Sequence, residues 1–347
     1  MIQAYIILMF VYLDHILVTT GFPLATSVKS EIIDIKNPES SCNDFPAFPI
    51  QNQNAIGTVL ENAPVICGGD GGKQSCYTLG SDGPGEILEL ERISSASVMF
   101  ANQLGIFGGS PLSSTTNASS NTYEVCQTST LECSLNDLPF SIKEHCMVTV
   151  NDKPVIIGGK TGDSDSKSEV SNKVFLLDPQ GGLGELPAKL IDGRSSMGCA
   201  VIDTIGFDNK DTKAVVVVGG IGEDGKNVKD VEMMIQGQPF FFRGNIKKNR
   251  KEKCLNTLSN FSGPQIKNEN NDTVALNSLQ LVSLGDSVVA IGGKDDSNAA
   301  QSAIYQLSCP DLNDLDKCAW TKLEQKLQVP RSNFVAMPID YEFVECT

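Results

Sequence analysis

Five times along the chain an apolar, mostly β-branched run ends in a pair of glycines: "APVICGG" closing at Gly69, "QLGIFGG" at Gly109, "KPVIIGG" at Gly159, "KAVVVVGG" at Gly220 and "SVVAIGG" at Gly293. Short runs of this kind read as buried strands. A glycine pair at the end supplies positive φ and lets neighbouring backbone come close. One copy mimics a phosphate-cradling loop, since Gly220, Gly225 and Lys226 match all but the last place of that pattern. Asn227 stands where a magnesium-binding hydroxyl is needed, and "VKDVEMMI" follows where a helix should present its amides. A feature that recurs five times belongs to a repeat.

The flanks of each run repeat too. A strand-like segment precedes it, as in "SASVMFA" and "HCMVTVN", and another follows the polar turn after the glycines, as in "NTYEVC" and "SAIYQL". A fourth comes next in places, such as "GEILELE" at 85–91 and "CAWTKLE" at 318–324. Four short strands per unit, repeated, are the pattern of a β-propeller. The unit Gly292-Gly293, Tyr305, Trp320 resembles the kelch family, whose units carry a double glycine, an aromatic in the third strand and a tryptophan in the fourth. Gly108-Gly109 with Tyr123 and Gly158-Gly159 with Phe175 match it in part, and the chain's single tryptophan leaves the other units divergent.

The resemblance implies an all-β, six-bladed propeller spanning 28–347, with blades at about 54–92, 93–140, 141–190, 191–262, 275–327 and a composite of 328–347 with 29–50. In the composite, "PRSNFVAMPIDYEFVEC" supplies the first and second strands and "SEIIDIKNPESSCNDFPAFP" the third and fourth, so N- and C-terminal strands pair to close the ring. The basic, polar interval "KKNRKEKCLNTLSNFSGPQIKNENNDT" reads as a long loop and not a seventh blade. A chain of 347 residues, 40% hydrophobic, is long enough for such a core.

Residues 1–27 carry an apolar block from Ala4 to Leu13 followed by small residues, the layout of a secretory leader cleaved after Gly21 or Ser27. The broken run is too short for a membrane span, and no second one exists. Eleven cysteines then read as disulfides, and Asn117, Asn260 and Asn271 as glycosylation acceptors of a secreted, extracellular glycoprotein. Spacing within the expected blades pairs Cys126 with Cys133, Cys309 with Cys318 and Cys67 with Cys76. Cys42 with Cys346 would lock the composite blade, Cys146 with Cys199 would join adjacent inner strands, and Cys254 would remain a free thiol.

A net charge of −15 opposes nucleic acid as a partner. His15 and His145 are the only histidines, so no histidine-built metal centre or Ser-His-Asp triad can be assembled, and no cofactor is called for. His145 reads as a packed or channel-lining residue, and the acidic turns at 69–73, 159–169 and 293–298 as solvated loops. Arg92, Arg194 and Arg331 open inner-strand segments, with Lys143 in a similar place. They suggest either a basic ring at the channel that meets a carboxylate, as in sialidases, or arginines that bond turn carbonyls between blades. The expected function is an extracellular protein- or glycan-binding module that uses the loops after the glycines, chiefly 160–172 and 221–230. The alternative is a sialic-acid-processing enzyme working at the channel mouth.

Overall fold

The computed structural model describes residues 15–340 except 38–44, 61–62, 80–82, 86–87, 112–118, 131, 163–167, 179–181, 207–209, 236–240 and 244–263. Regular structure is almost entirely antiparallel β. The first sheet is built from Ile56–Leu60, Ala63–Cys67 and Cys76–Thr78, and the second from Ala96–Phe100, Gln103–Phe107, Ser120–Gln127 and Cys133–Lys143. The third takes Cys146–Val150, Lys153–Ile157, Val174–Leu177 and Leu183–Glu185, and the fourth Gly198–Ile205, Asp211–Val218, Val231–Ile235 and Phe241–Arg243. The fifth is Gln280–Ser283, Ser287–Ile291, Gln301–Ser308 and Ala319–Arg331. A terminal sheet joins Val335–Ile339, His15–Thr19 and Glu31–Asp34.

The hydrophobic core is divided into six slabs, each lying between two neighbouring sheets. Ile106 and Cys126 of the second sheet, for example, meet Val65 and Cys67 of the first, while Phe107 and Tyr123 meet Ile156 and Met147 of the third. Each sheet is therefore buried on both faces. This is why the second strands are unbroken apolar runs such as Ala214–Val218 and not alternating ones. The first strands of the sheets touch in succession, Ile56–Leu60 on Ala96–Phe100 and onward to Val335–Ile339, which returns to Ile56–Leu60.

Three expectations need correction. The central strand of the terminal sheet is His15–Thr19, which pairs with Val335–Ile339 on one side and Glu31–Asp34 on the other. The second strand therefore comes from the chain's start and not from 341–347, which lie outside the described residues. Ile16, Leu17 and Val18 are fully buried in two slabs, so residues 15–27 cannot belong to a cleaved leader without the loss of this strand. Residues 1–14 lie outside the described residues. Finally, 88–91, expected in a fourth strand of the first unit, form no strand among the described residues.

Four disulfides are present among the described residues. Cys67–Cys76, Cys126–Cys133 and Cys309–Cys318 each lie within one unit, and Cys146–Cys199 joins the first strands of the third and fourth sheets with α-carbons 6.0 Å apart. Cys42, Cys254 and Cys346 lie outside the described residues, as do Asn117 and Asn260. Four disulfides point to an oxidising, extracellular or secretory environment. No helix among the described residues is long and apolar enough to cross a membrane.

Candidate binding face

The glycine pairs explain how one edge of the molecule is built. In all five pairs both residues have positive φ, the first between 56° and 68° and the second between 83° and 97°. A sixth turn has the same form at Thr20 and Gly21, with φ of 60° and 102°. The "HILVTTG" that precedes it is a further apolar run of the same kind, hidden by its place near the chain's start. The amide of each second residue donates to the segment that leads into the first strand of the next sheet: Gly21 to Asn52, Gly69 to Arg92, Gly109 to Ile142, Gly159 to Arg194, Gly220 to Leu276 and Gly293 to Arg331. Two residues beyond each of these acceptors stands a left-handed residue: Asn54, Ser94, Glu144, Ser196, Ser278 and Asn333. Each of the six donates its amide to the carbonyl of the one before, at 2.7–3.1 Å, and Asn54 donates to Asn333. The result is a closed ring of six backbone hydrogen bonds at the edge where the glycine turns lie.

The arginines expected to line a channel serve a different purpose. Arg92, Arg194 and Arg331 are each at most 1% exposed and held by a buried glutamate from the third strand of the sheet whose first strand the arginine leads into: Glu124, Glu232 and Glu31. Arg92 Nε donates to Glu124 Oε1 at 2.6 Å, and its Nη1 to the carbonyl of Gly108 at 2.7 Å. The Nη1 groups of Arg194 and Arg331 donate likewise to the carbonyls of Gly219 and Thr20. The second carboxylate oxygen accepts the amide three residues ahead of the arginine: Glu89, Ile191 and Gln328 respectively. Burial pulls all three arginines below their usual range and pushes Glu232 above its own, with the ion pair opposing both shifts. These guanidiniums are consumed by buried glutamates and backbone carbonyls, so they form no basic ring and offer no clamp for a substrate carboxylate. Nor do their side chains bond turn carbonyls between units: the link between units is made by their backbone carbonyls, which accept the amides of Gly69, Gly159 and Gly293.

The register shows the logic of the arrangement. The residue opposite the position two before each glycine turn runs Tyr77, Glu124, Phe175, Glu232, Tyr305, Glu31 from the first sheet to the terminal one. The residue at the arginine's place runs Asn52, Arg92, Ile142, Arg194, Leu276, Arg331. Ion-paired and aromatic sheets thus alternate strictly. Asn52 in the first sheet caps the Gly68 carbonyl at 2.9 Å much as the arginines do. Lys143 is buried one place beyond Ile142, with its backbone paired to Lys160, so it is not the equivalent of the arginines. The glutamates could have been noticed in the sequence, because "YEV", "VEMMI" and "SEIIDI" each place a carboxylate inside an apolar strand, which requires a cation.

Other marked residues have local roles. Asp295 accepts the amides of Ser297 and Ala299 and the Ser297 hydroxyl, and Asp70 accepts from Gln53 and Asn54, so these acidic turns are satisfied from within. Asn271, at positive φ in an exposed turn, accepts from Lys267 Nζ at 2.8 Å. His145 is 6% exposed, and neither ring nitrogen has a hydrogen-bond partner; burial lowers its pKa to about 3, so it is neutral.

Two hollows open on this edge. One, about 600 Å³, lies between the third and fourth sheets, where Asn172 and Ile191 meet the loop that carries Glu223, Asp224, Lys229 and Asp230. Ile191 is 43% exposed there, and the Lys226 amide and ammonium hold the Asp224 carboxyl below its usual range. The other lies inside the ring of six. Its mouth, about 100 Å³, includes Glu144, whose carboxylate accepts from Lys160 Nζ and the Ser196 hydroxyl. Behind it a chamber of about 230 Å³ is walled by first-strand residues of all six sheets, among them the Cys146–Cys199 disulfide. No family model matches the chain, and no curated protein does.

Proposed function

We propose that the chain is a secreted, kelch-type propeller of six blades that binds an extracellular protein or glycan through the loops after its glycine turns. The propeller reading is supported by six sheets whose first strands touch in a cycle, by six core slabs between them, and by the six-membered hydrogen-bond ring. Turns at equivalent places in such a repeat share one face, so differences in loop length and chemistry accumulate there without disturbing the scaffold.

The observation that carries the binding reading is the hollow of about 600 Å³ between the third and fourth sheets. Its size falls within the range of ligand pockets. It is formed at the loop 221–230, one of the two loops in which the sequence reading places the contact. Exposed groups of both signs, Glu223 and Lys229, flank the half-exposed Ile191, a mixture suited to a polar partner with an apolar tip. The test is capture from the protein's own extracellular fluid by immobilised wild type and by a Glu223→Lys/Lys229→Glu double variant. We expect the reversal to abolish capture of specific partners with melting unchanged. Equal capture by both proteins would move the site elsewhere.

A further inference from the structure

The chamber inside the ring contains an unexplained residue. At the place after each left-handed ring residue, the six sheets carry Ala55, Ser95, His145, Met197, Leu279 and Phe334. Met197, Leu279 and Phe334 are all buried and pack against neighbouring slabs, so the position is served structurally by a plain apolar side chain. His145 fills it with an imidazole that is as buried as they are and has both nitrogens unsatisfied. Leaving such groups desolvated and unpaired is destabilising. Packing alone gives no reason to accept that cost, since leucine or methionine would avoid it.

His145 borders both the mouth and the chamber, and the two share Ser95 and Gln280 of its lining. The hydroxyl of Ser97 is added deeper in, on the neighbouring second sheet. A neutral imidazole offers one donor and one acceptor, and a serine hydroxyl can serve as either. Charge is excluded from the recognition chemistry. Among the described residues, Glu144 is the one acidic or basic side chain in the lining besides His145, and Lys160 and Ser196 already occupy it. An anion would meet no cation there, and a cation no free carboxylate. The volume, about 230 Å³, lies below the roughly 300 Å³ at which drug-sized pockets begin, yet far exceeds the ~30 Å³ share of one water.

We propose that this axial chamber is a second binding site, separate from the hollow at 221–230, for a small uncharged molecule with adjacent hydroxyls, a polyol or neutral monosaccharide held by His145 and the serines of the second sheet. Such a guest donates to one ring nitrogen and accepts from the other, and it pairs with the serine hydroxyls of the adjoining second sheet. The same chemistry could arrive as a free polyol or as the last residue of a glycan.

The test is saturation-transfer NMR on the full chain with myo-inositol, galactose and mannose, beside N-acetylneuraminic acid and glucosamine as charged counterparts, with methyl glycosides added to separate free polyol from glycan end. Saturable binding of at least one neutral compound and none of the charged ones is expected. His145→Leu should weaken that binding at least tenfold while the ligand-free protein melts at the same temperature or higher. Three results would overturn the proposal: no saturable neutral ligand, binding unchanged by His145→Leu, or preference for a charged compound. A large fall in the melting temperature of His145→Leu would mark the imidazole as a packing residue and also count against it. The variant leaves the hollow at 221–230 untouched, so loss of the rim reading and loss of this one are separately visible.

Discussion

Arg194 donates its guanidinium to Glu232 at a place where neither side chain touches solvent, and the same glutamate takes the Ile191 amide that leads into the arginine's own segment. The pair therefore ties the outer part of the fourth sheet to the edge that bears the ring. Removing one partner leaves a buried charge uncompensated, at a cost of about 3–5 kcal/mol. We expect Arg194→Leu or Glu232→Gln to lose that much in urea denaturation. The double change Arg194→Leu with Glu232→Tyr, which copies Leu276 and Tyr305 of the fifth sheet, should recover most of it. A double variant no better than the singles would show that the two kinds of sheet are not interchangeable.

Removal of disulfides should rank by the loop each one closes. Cys146–Cys199 spans 53 residues and Cys126–Cys133 only 7. Chain-entropy arguments give about 4 kcal/mol for the first and about 2.5 kcal/mol for the second. Paired Cys→Ser variants compared by thermal melting should fall in that order.

The buried imidazole makes stability depend on pH. His145 has a folded pKa of about 3, against 6.5 for the free side chain, so below 6.5 the unfolded chain binds a proton that the folded one refuses. Its contribution is whole above pH 6.5 and is lost progressively as the pH falls towards 3, by about 2 kcal/mol at pH 5. Denaturation midpoints of wild type and His145→Leu should diverge across this window and run parallel above it.

Thr20 holds a left-handed conformation that costs a residue with a Cβ about 1–2 kcal/mol, and its buried hydroxyl has no partner. The five equivalent positions are all glycine. Thr20→Gly should raise the melting temperature, and a fall would mean that the threonine methyl contributes packing worth more than the strain.

Any processed form of the protein should retain His15–Thr19. Mass spectrometry of the secreted chain would check this, and a mature N-terminus at Phe22 or Val28 would contradict the terminal sheet.

Much of this fold can be read in the sequence because glycine pairs, apolar runs and local cysteine spacing are short-range signals. The strands around Gly109, Gly159, Gly220 and Gly293 and the disulfides within units fall into this class. The terminal sheet was obscured because "HILVTTG" near a chain start has the composition of a leader, and a strand that pairs with Val335–Ile339 has no local mark of its partner. The arginines were visible but not their purpose. Whether Arg92 faces a channel or Glu124 depends on strand register, and only the register reveals that carboxylates and aromatics alternate from sheet to sheet.

The ring from Asn54 through Asn333 and back differs in kind from a helix or a hairpin. A helix leaves amides and carbonyls unpaired at its two ends, and those ends are where it frays. Six amides pointing the same way around a closed circuit leave no such end. The molecule thus has a chain with two termini but an inner edge with none. Its last bonds, to Asn54 and Ser278, cannot form until Asn333, the last of the six in chain order, is in place, so closure of that edge should be a single event.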